Sequence, residues 1–127
     1  MNKHEEIKGE NQIDSDVLET VDYSYPGRRT EVEIIHPEFT SVCPWTGLPD
    51  FAHLSICYIP RHTCVELKSL KYYLNSFRNV GILQEHVVNR ILDDLKQKIG
   101  PIEMTVKADF NARGGLSTKL KASYPKE

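Results

Sequence analysis

From Phe39 to Phe51 the sequence reads Phe-Thr-Ser-Val-Cys-Pro-Trp-Thr-Gly-Leu-Pro-Asp-Phe, a stretch that holds the single tryptophan, Cys43 and, seven residues on, Asp50. Pro44, Gly47 and Pro49 restrict the backbone there, and the stretch reads as a loop that holds its side chains at defined places, as a thiolate meeting a substrate in one geometry requires. A thiolate is a strong nucleophile, and a carboxyl group beside it can exchange a proton with the adduct it forms. The same residues also suit a buried loop cysteine and an aspartate bonded to its own turn, and the spacing leaves both readings open.

A second cluster, Val65-Glu66-Leu67-Lys68-Ser69-Leu70-Lys71-Tyr72-Tyr73, opens a helical pattern. Lys68 and Lys71 share one face a turn apart, near a helix start where amide dipoles and ammonium groups add up to a phosphate site. A solvated helix face is the other reading. Glu85 falls in the first turn of the next helix, where an acid complements the dipole. Arg113-Gly114-Gly115 is a hairpin turn, or a turn whose arginine reaches a phosphate. The cysteines Cys43, Cys57 and Cys64 show no Cys-x-x-Cys spacing, and the histidines His4, His36, His53, His62 and His86 no His-x-x-x-His. Neither a disulfide framework nor a metal site is expected, including one built from Cys43, His53 and Cys57.

The elements that must hold these residues are legible from periodicity. Glu31 to His36 alternates as a strand, with Val32 and Ile34 on one face. Phe51 to Ile59 alternates too, with both faces apolar enough for a strand buried on two sides. Thr63 to Leu67 reads as a short continuation or partner. Ile102 to Asn111 is a long strand with one wet face, and Leu116 to Ala122 pairs with it through Gly114-Gly115. Leu70, Tyr73, Leu74 and Phe77 form one helical stripe with Gly81 as its stop; Val88, Ile91, Leu92, Leu95 and Ile99 form a second, ended by Gly100-Pro101. The order strand-strand-helix-helix-strand-strand is an α+β layout, an antiparallel sheet with both helices on one face. Its open edges call for cover or for partners, so self-association is expected.

With 127 residues the chain suffices for one domain. Seven acids between Glu5 and Asp22 and few large apolar residues make residues 1–25 an expected disordered acidic tail, docking at most through Val17, Leu18 and Val21. Residues 26–127 are then a single folded domain. Sixteen basic against eighteen acidic residues, a net charge of -2, argue against direct nucleic-acid binding. The polar, acidic start and the absence of a long apolar run predict neither a secretory signal nor a membrane span, hence a cytoplasmic protein.

Taken together, these stretches resemble the 7-cyano-7-deazaguanine reductases, the QueF nitrile reductases of queuosine biosynthesis, in their short single-module form. Glu66 to Tyr73 matches the signature of that family, and Phe39-Thr40-Ser41, Cys43-Pro44, Thr46-Gly47 and Pro49-Asp50-Phe51 match its catalytic loop. Ser76-Phe77-Arg78-Asn79 and Arg113-Gly114-Gly115 match in order and spacing. The resemblance implies the tunnelling fold, with chains joined into rings, as pairs of pentamers, and active sites between subunits. It implies Cys43 as the nucleophile forming a thioimidate and Asp50 as the acid. Glu66 and Glu85 become the readers of a 7-deazapurine base, with Val65, Leu67 and Gln84 shaping the pocket. Lys68, Ser69, Lys71 and Arg113 become the contacts to NADPH, two of which are consumed per nitrile. No Gly-x-Gly-x-x-Gly is present, so the cofactor binds without a Rossmann unit. Gln84 stands where many members carry histidine, and it cannot carry a proton as imidazole does; Leu67 stands where many carry serine. The alternatives are a relative that adds ammonia to a nitrile on tRNA, against which the intact Glu66–Tyr73 stretch speaks, and a non-catalytic module binding a purine or pterin.

Overall fold

Alternation of buried and exposed side chains along four long strands organises the computed structural model, which describes residues 7–126. In chain order the strands are β1 (Thr20–Asp22), β2 (Val32–Val42), β3 (Pro49–Ile59), β4 (Thr63–Val65), β5 (Glu103–Arg113) and β6 (Leu116–Tyr124). Two helices, α1 (Leu67–Asn75) and α2 (Gln84–Ile99), intervene between β4 and β5. The main sheet is antiparallel in the order β2-β3-β5-β6, and a separate two-stranded piece pairs β1 with β4. Met104, Val106, Ala108 and Phe110 of β5 face the helices together with Ala52, Leu54, Ile56 and Tyr58 of β3, and all are buried. The stripe on α2 (Val88, Ile91, Leu92, Leu95, Ile99) closes the core from above. Phe77 packs against Phe39 and Tyr73 with ring centroids 5.3 and 5.4 Å apart. The Tyr73 hydroxyl donates to Asp94 Oδ2 at 2.6 Å, tying α1 to α2, and Arg90 completes the cluster with a 2.8 Å ion pair to the same oxygen.

Four expectations from periodicity are corrected. β3 is buried on one face within the chain, since both helices cover the same side; Phe51 and His53 on the other side are exposed. β2 runs on to Val42, so Phe39 to Val42 is strand and not loop. Pro37 is accommodated because β2 is an edge strand whose register shifts between His36 and Phe39. Helix α1 ends at Asn75, well before Gly81, because tight turns from Ser76 to Val80 unwind it; α2 stops at Gly100, in the left-handed conformation, as expected.

The fourth correction concerns the acidic tail. Residues 7–25 form a strap laid along α1, while Glu5 and Glu6 lie outside the described residues. Lys8 donates to Asn79 O at 2.7 Å and accepts from the Gly81 amide at 2.8 Å. The Asp14 and Glu19 amides donate to Ser76 Oγ and Ser69 Oγ at 3.0 and 2.9 Å, and β1 then pairs with β4 in the register Thr20↔Val65. Ile13 and Leu18 are buried, Val17 is half-buried, and Val21 stays exposed. Composition misses this segment because its acids all point to solvent, while backbone hydrogen bonds and two apolar anchors hold it.

Candidate active site

Cys43 follows the last residue of β2 and Asp50 is the second residue of β3, so one hairpin carries both. The register sets Ser41 opposite Asp50 and Val42 opposite Pro49. The turn is closed by the Cys43 amide donating to Leu48 O and the Gly47 amide donating to Cys43 O, both at 2.9 Å. Pro44 and Gly47 permit that tight closure, and the thiol remains partly accessible. Asp50, only 4% exposed, points to the helix face, and its Oδ1 accepts from Arg113 Nη1 at 2.6 Å. Arg113 reaches it from the end of β5, where the β5–β6 register shifts after Phe110. A buried carboxylate needs a charged partner, and Arg113 supplies one from the hairpin turn.

Burial pushes the Cys43 thiol up, but hydrogen bonds from the Thr46 hydroxyl and from the backbone of Thr46 and Trp45, with the charge of Arg113, outweigh it and hold the thiol below its ordinary value. Asp50 and Cys43 both raise the affinity of Arg113 for its proton, the Asp50 hydrogen bond most. The arrangement is a thiol favoured as thiolate beside a carboxyl group, with one guanidinium acting on both. Such a pair can add a sulfur nucleophile to an electrophilic carbon and move a proton to the atom that gains charge.

The start of α2 is brought to the same place. The Val42 amide donates to Val80 O and Val42 O accepts from the Ile82 amide, both at 3.1 Å, so the segment leading into α2 is fixed beside the Cys43 turn. Gln84 and Glu85 are the first two residues of that helix. Gln84 Oε1 accepts a hydrogen bond from the Thr118 hydroxyl of β6, and the Glu85 side chain is exposed.

The second predicted cluster lies elsewhere. The Val65 amide donates to the Tyr58 hydroxyl at 3.1 Å, near the far end of β3, roughly 25 Å along the strand from Asp50. Val65 packs in the core rather than lining a surface. Glu66 caps α1, its two carboxylate oxygens accepting from the Lys68 amide at 2.7 Å and the Ser69 amide at 2.8 Å. Those two amide bonds hold the Glu66 carboxyl below its usual range. Ser69 is a correction: it is buried, and its hydroxyl donates to Glu66 O at 2.7 Å and accepts from the Glu19 amide, so it anchors the strap instead of facing a phosphate. Leu67, Lys68 and Lys71 are exposed on α1, and neither lysine makes an ion pair among the described residues. Two free ammonium groups at a helix start fit a pyrophosphate or phosphate chemically.

Sequence reasoning placed Thr46 and Ser41 in the loop motif without giving either a role, though a threonine three residues after Cys43 in a turn-forming stretch was a signal for the first. It missed Thr118, for which no local signal exists. The Ser41 hydroxyl is fully buried opposite Asp50 and is the one buried side-chain polar atom without a hydrogen-bond partner among the described residues. Among those residues no His/Cys/Asp/Glu group is arranged to hold a metal ion, and no helix is long and apolar enough to cross a membrane.

Comparison with known proteins adds the following. The model of the family described as QueF-like protein matches residues 49–127. The NADPH-dependent 7-cyano-7-deazaguanine reductase of Caldicellulosiruptor bescii is 60% identical over 121 residues, covering 95% of this chain and 92% of the relative. The reductases of the same name from Caldanaerobacter subterraneus subsp. tengcongensis and Chlorobaculum tepidum are 57% and 52% identical, covering 96% and 90% of this chain and 91% and 97% of the relatives. Among solved structures, the archaeosine synthase QueF-Like in its apo form superimposes with a TM-score of 0.70 at 24% identity, covering 76% of this chain and 94% of that one. That likeness concerns the fold, and the strand-strand-helix-helix-strand-strand order expected of the tunnelling fold is the order seen in the main sheet and its helices.

Proposed function

Because the chain belongs to the QueF-like family, we propose that it reduces the nitrile of 7-cyano-7-deazaguanine to the primary amine with NADPH, within queuosine biosynthesis. The observation that carries the reading is the Cys43 thiol, held toward thiolate beside the buried Asp50–Arg113 pair. A nitrile carbon is a poor hydride acceptor until a nucleophile adds to it. Cys43 Sγ adds to that carbon while the thiol proton passes to the Asp50 carboxylate and from there to the nitrogen, giving a neutral thioimidate. NADPH supplies hydride, once to the thioimidate carbon and once to the imine left when the Cys43 carbon–sulfur bond breaks; each reduction also takes up one proton. Arg113 holds the Asp50 carboxyl in place between these steps. Glu85, exposed at the start of α2, suits the amino and ring N–H groups of a guanine-type base. Binding of that base keeps the imine in the site and away from water.

Glu66 and Lys68, at the start of α1, sit toward the other end of the sheet, so one chain does not bring base, thiol and phosphate contacts together. Two copies joined at their sheet edges do, and exposed Leu116, Trp45 and Phe51 around the Cys43 end supply apolar surface for that contact. We place the enzyme in the cytoplasm as a ring-forming oligomer. The test is NADPH consumption on adding 7-cyano-7-deazaguanine to the wild type and to Cys43→Ala. About two NADPH oxidised per nitrile, abolished in the variant, is expected. No consumption by a wild type that still binds the base would overturn the reading in favour of a binding module or an ammonia-adding enzyme.

A further inference from the structure

We propose that the strap of residues 7–19 seats the turn that carries Cys43, and that Ile7 is a positioning residue for this thiol. The inference rests on Cys43 being the nucleophile of the proposed reaction. Two glycines meet at Ile7. A methyl group on Gly47, within the turn, would lie 2.9 Å from Ile7 Cδ1; one on Gly81 would lie 2.9 Å from Ile7 Cγ2 and 3.1 Å from Pro44 Cα. The Ile7 side chain therefore fills the space between the Cys43–Leu48 turn and the segment leading into α2, at contact distance to both.

The placement of Ile7 is set by backbone and not by chance packing. Lys8, the next residue, bridges Asn79 and Gly81 through both of its backbone groups, and Gly81 lies between the two residues that bond Val42. The strap, the segment 79–82 and the end of β2 are thus three adjacent stretches, joined by hydrogen bonds just ahead of Cys43. Further back, Ser76 and Ser69 hold the strap along α1. Without Ile7 the turn keeps its own two hydrogen bonds but loses the wedge that fixes its tilt against α2. A displacement of about 1 Å at a reacting atom is enough to cost about 100-fold in rate.

The experiment measures covalent adduct formation between the whole protein and 7-cyano-7-deazaguanine without NADPH, by intact-protein mass. Alongside it, the pH dependence of Cys43 alkylation by iodoacetamide is mapped by peptide. Ile7→Ala is expected to slow adduct formation by about 10- to 100-fold with the base bound as tightly as before, and to move Cys43 alkylation to higher pH. Ile7→Val, which keeps the branch, should restore most of the rate. Gly81→Ala drives a methyl group into the space of Ile7 and should slow the adduct as well. Combined with Ile7→Ala it should cost less than the two single effects together, since the methyl then loses its clash with Ile7 and keeps only the closer approach to Pro44. Adduct formation by Ile7→Ala at the wild-type rate overturns the inference, as does additive loss in the double variant. If the wild type forms no adduct, the proposed reaction fails and the alkylation profile alone decides: a shift in Ile7→Ala upholds the seating role, and an unchanged profile rejects it.

Discussion

At the Cys43 end of the sheet a thiol and a carboxyl group lie side by side under one guanidinium, whereas at the start of α1 the Glu66 and Ser69 side chains are taken up by backbone. Asp50 and Arg113 face each other at 2.6 Å beside a thiol displaced toward thiolate. Glu66 and Ser69, by contrast, accept or donate four hydrogen bonds that cap the helix and hold the strap. Residue types that read alike in sequence thus pair with a remote charge beside a thiol in one place and anchor backbone in the other. What separates them is whether the nearest unsatisfied group is a backbone amide of the same chain.

The sharpest way to break this contrast is at Asp50. Asp50→Asn should lower turnover by about 100- to 10,000-fold while the base still binds, since only proton delivery is lost; near-normal turnover would make Asp50 a structural partner of Arg113, like Glu66 in its cap. Glu66 offers the converse. Glu66→Ser retains a capping side chain and should keep the melting temperature, yet weaken nitrile binding about tenfold, because serine cannot accept a charged bidentate contact. If the serine variant is fully active and only Glu66→Ala melts early, the role of Glu66 ends at the cap. A smaller effect is expected at Lys71, where alanine should raise the Michaelis constant for NADPH about three- to tenfold and that for the nitrile little. Equal changes in both would assign Lys71 to the fold or the assembly.

The smallest effect concerns pH. With its affinity for protons depressed in the fold, Cys43 is thiolate, and alkylates, at lower pH than an ordinary thiol. Removing Arg113 takes away one of the groups that depress it, so in Arg113→Ala the rise in alkylation should move to higher pH. The turn of Thr46 and its backbone neighbours remains, so the shift should be partial. An unmoved profile would leave Arg113 acting on Asp50 alone.

Much of the framework was legible before any coordinates. The alternation in β5, the stripe of α2 and its stop at Gly100 follow directly from side chains that bury one face. Cys43, Asp50 and Arg113 were candidates by residue type, but spacing left each a structural reading as well, and only the resemblance to the family favoured a chemical one. Ser69 was misjudged because a serine at a helix start looks the same whether its hydroxyl meets solvent or a strap. The strap itself was misjudged because its anchors, Ile13 and Leu18, are few and its hydrogen bonds come from backbone, which composition does not record.

By itself the sequence carried most of the elements and, in its motifs, the family, since periodicity and residue type are properties of the chain alone. Only the tertiary structure decided that Arg113 closes on Asp50 across 63 positions, that Ile7 reaches the Cys43 turn, and that Glu66 stands toward the opposite end of the sheet from the thiol. Those are distances between segments remote in sequence, set by how sheet and helices bury their shared core, and no local pattern encodes them.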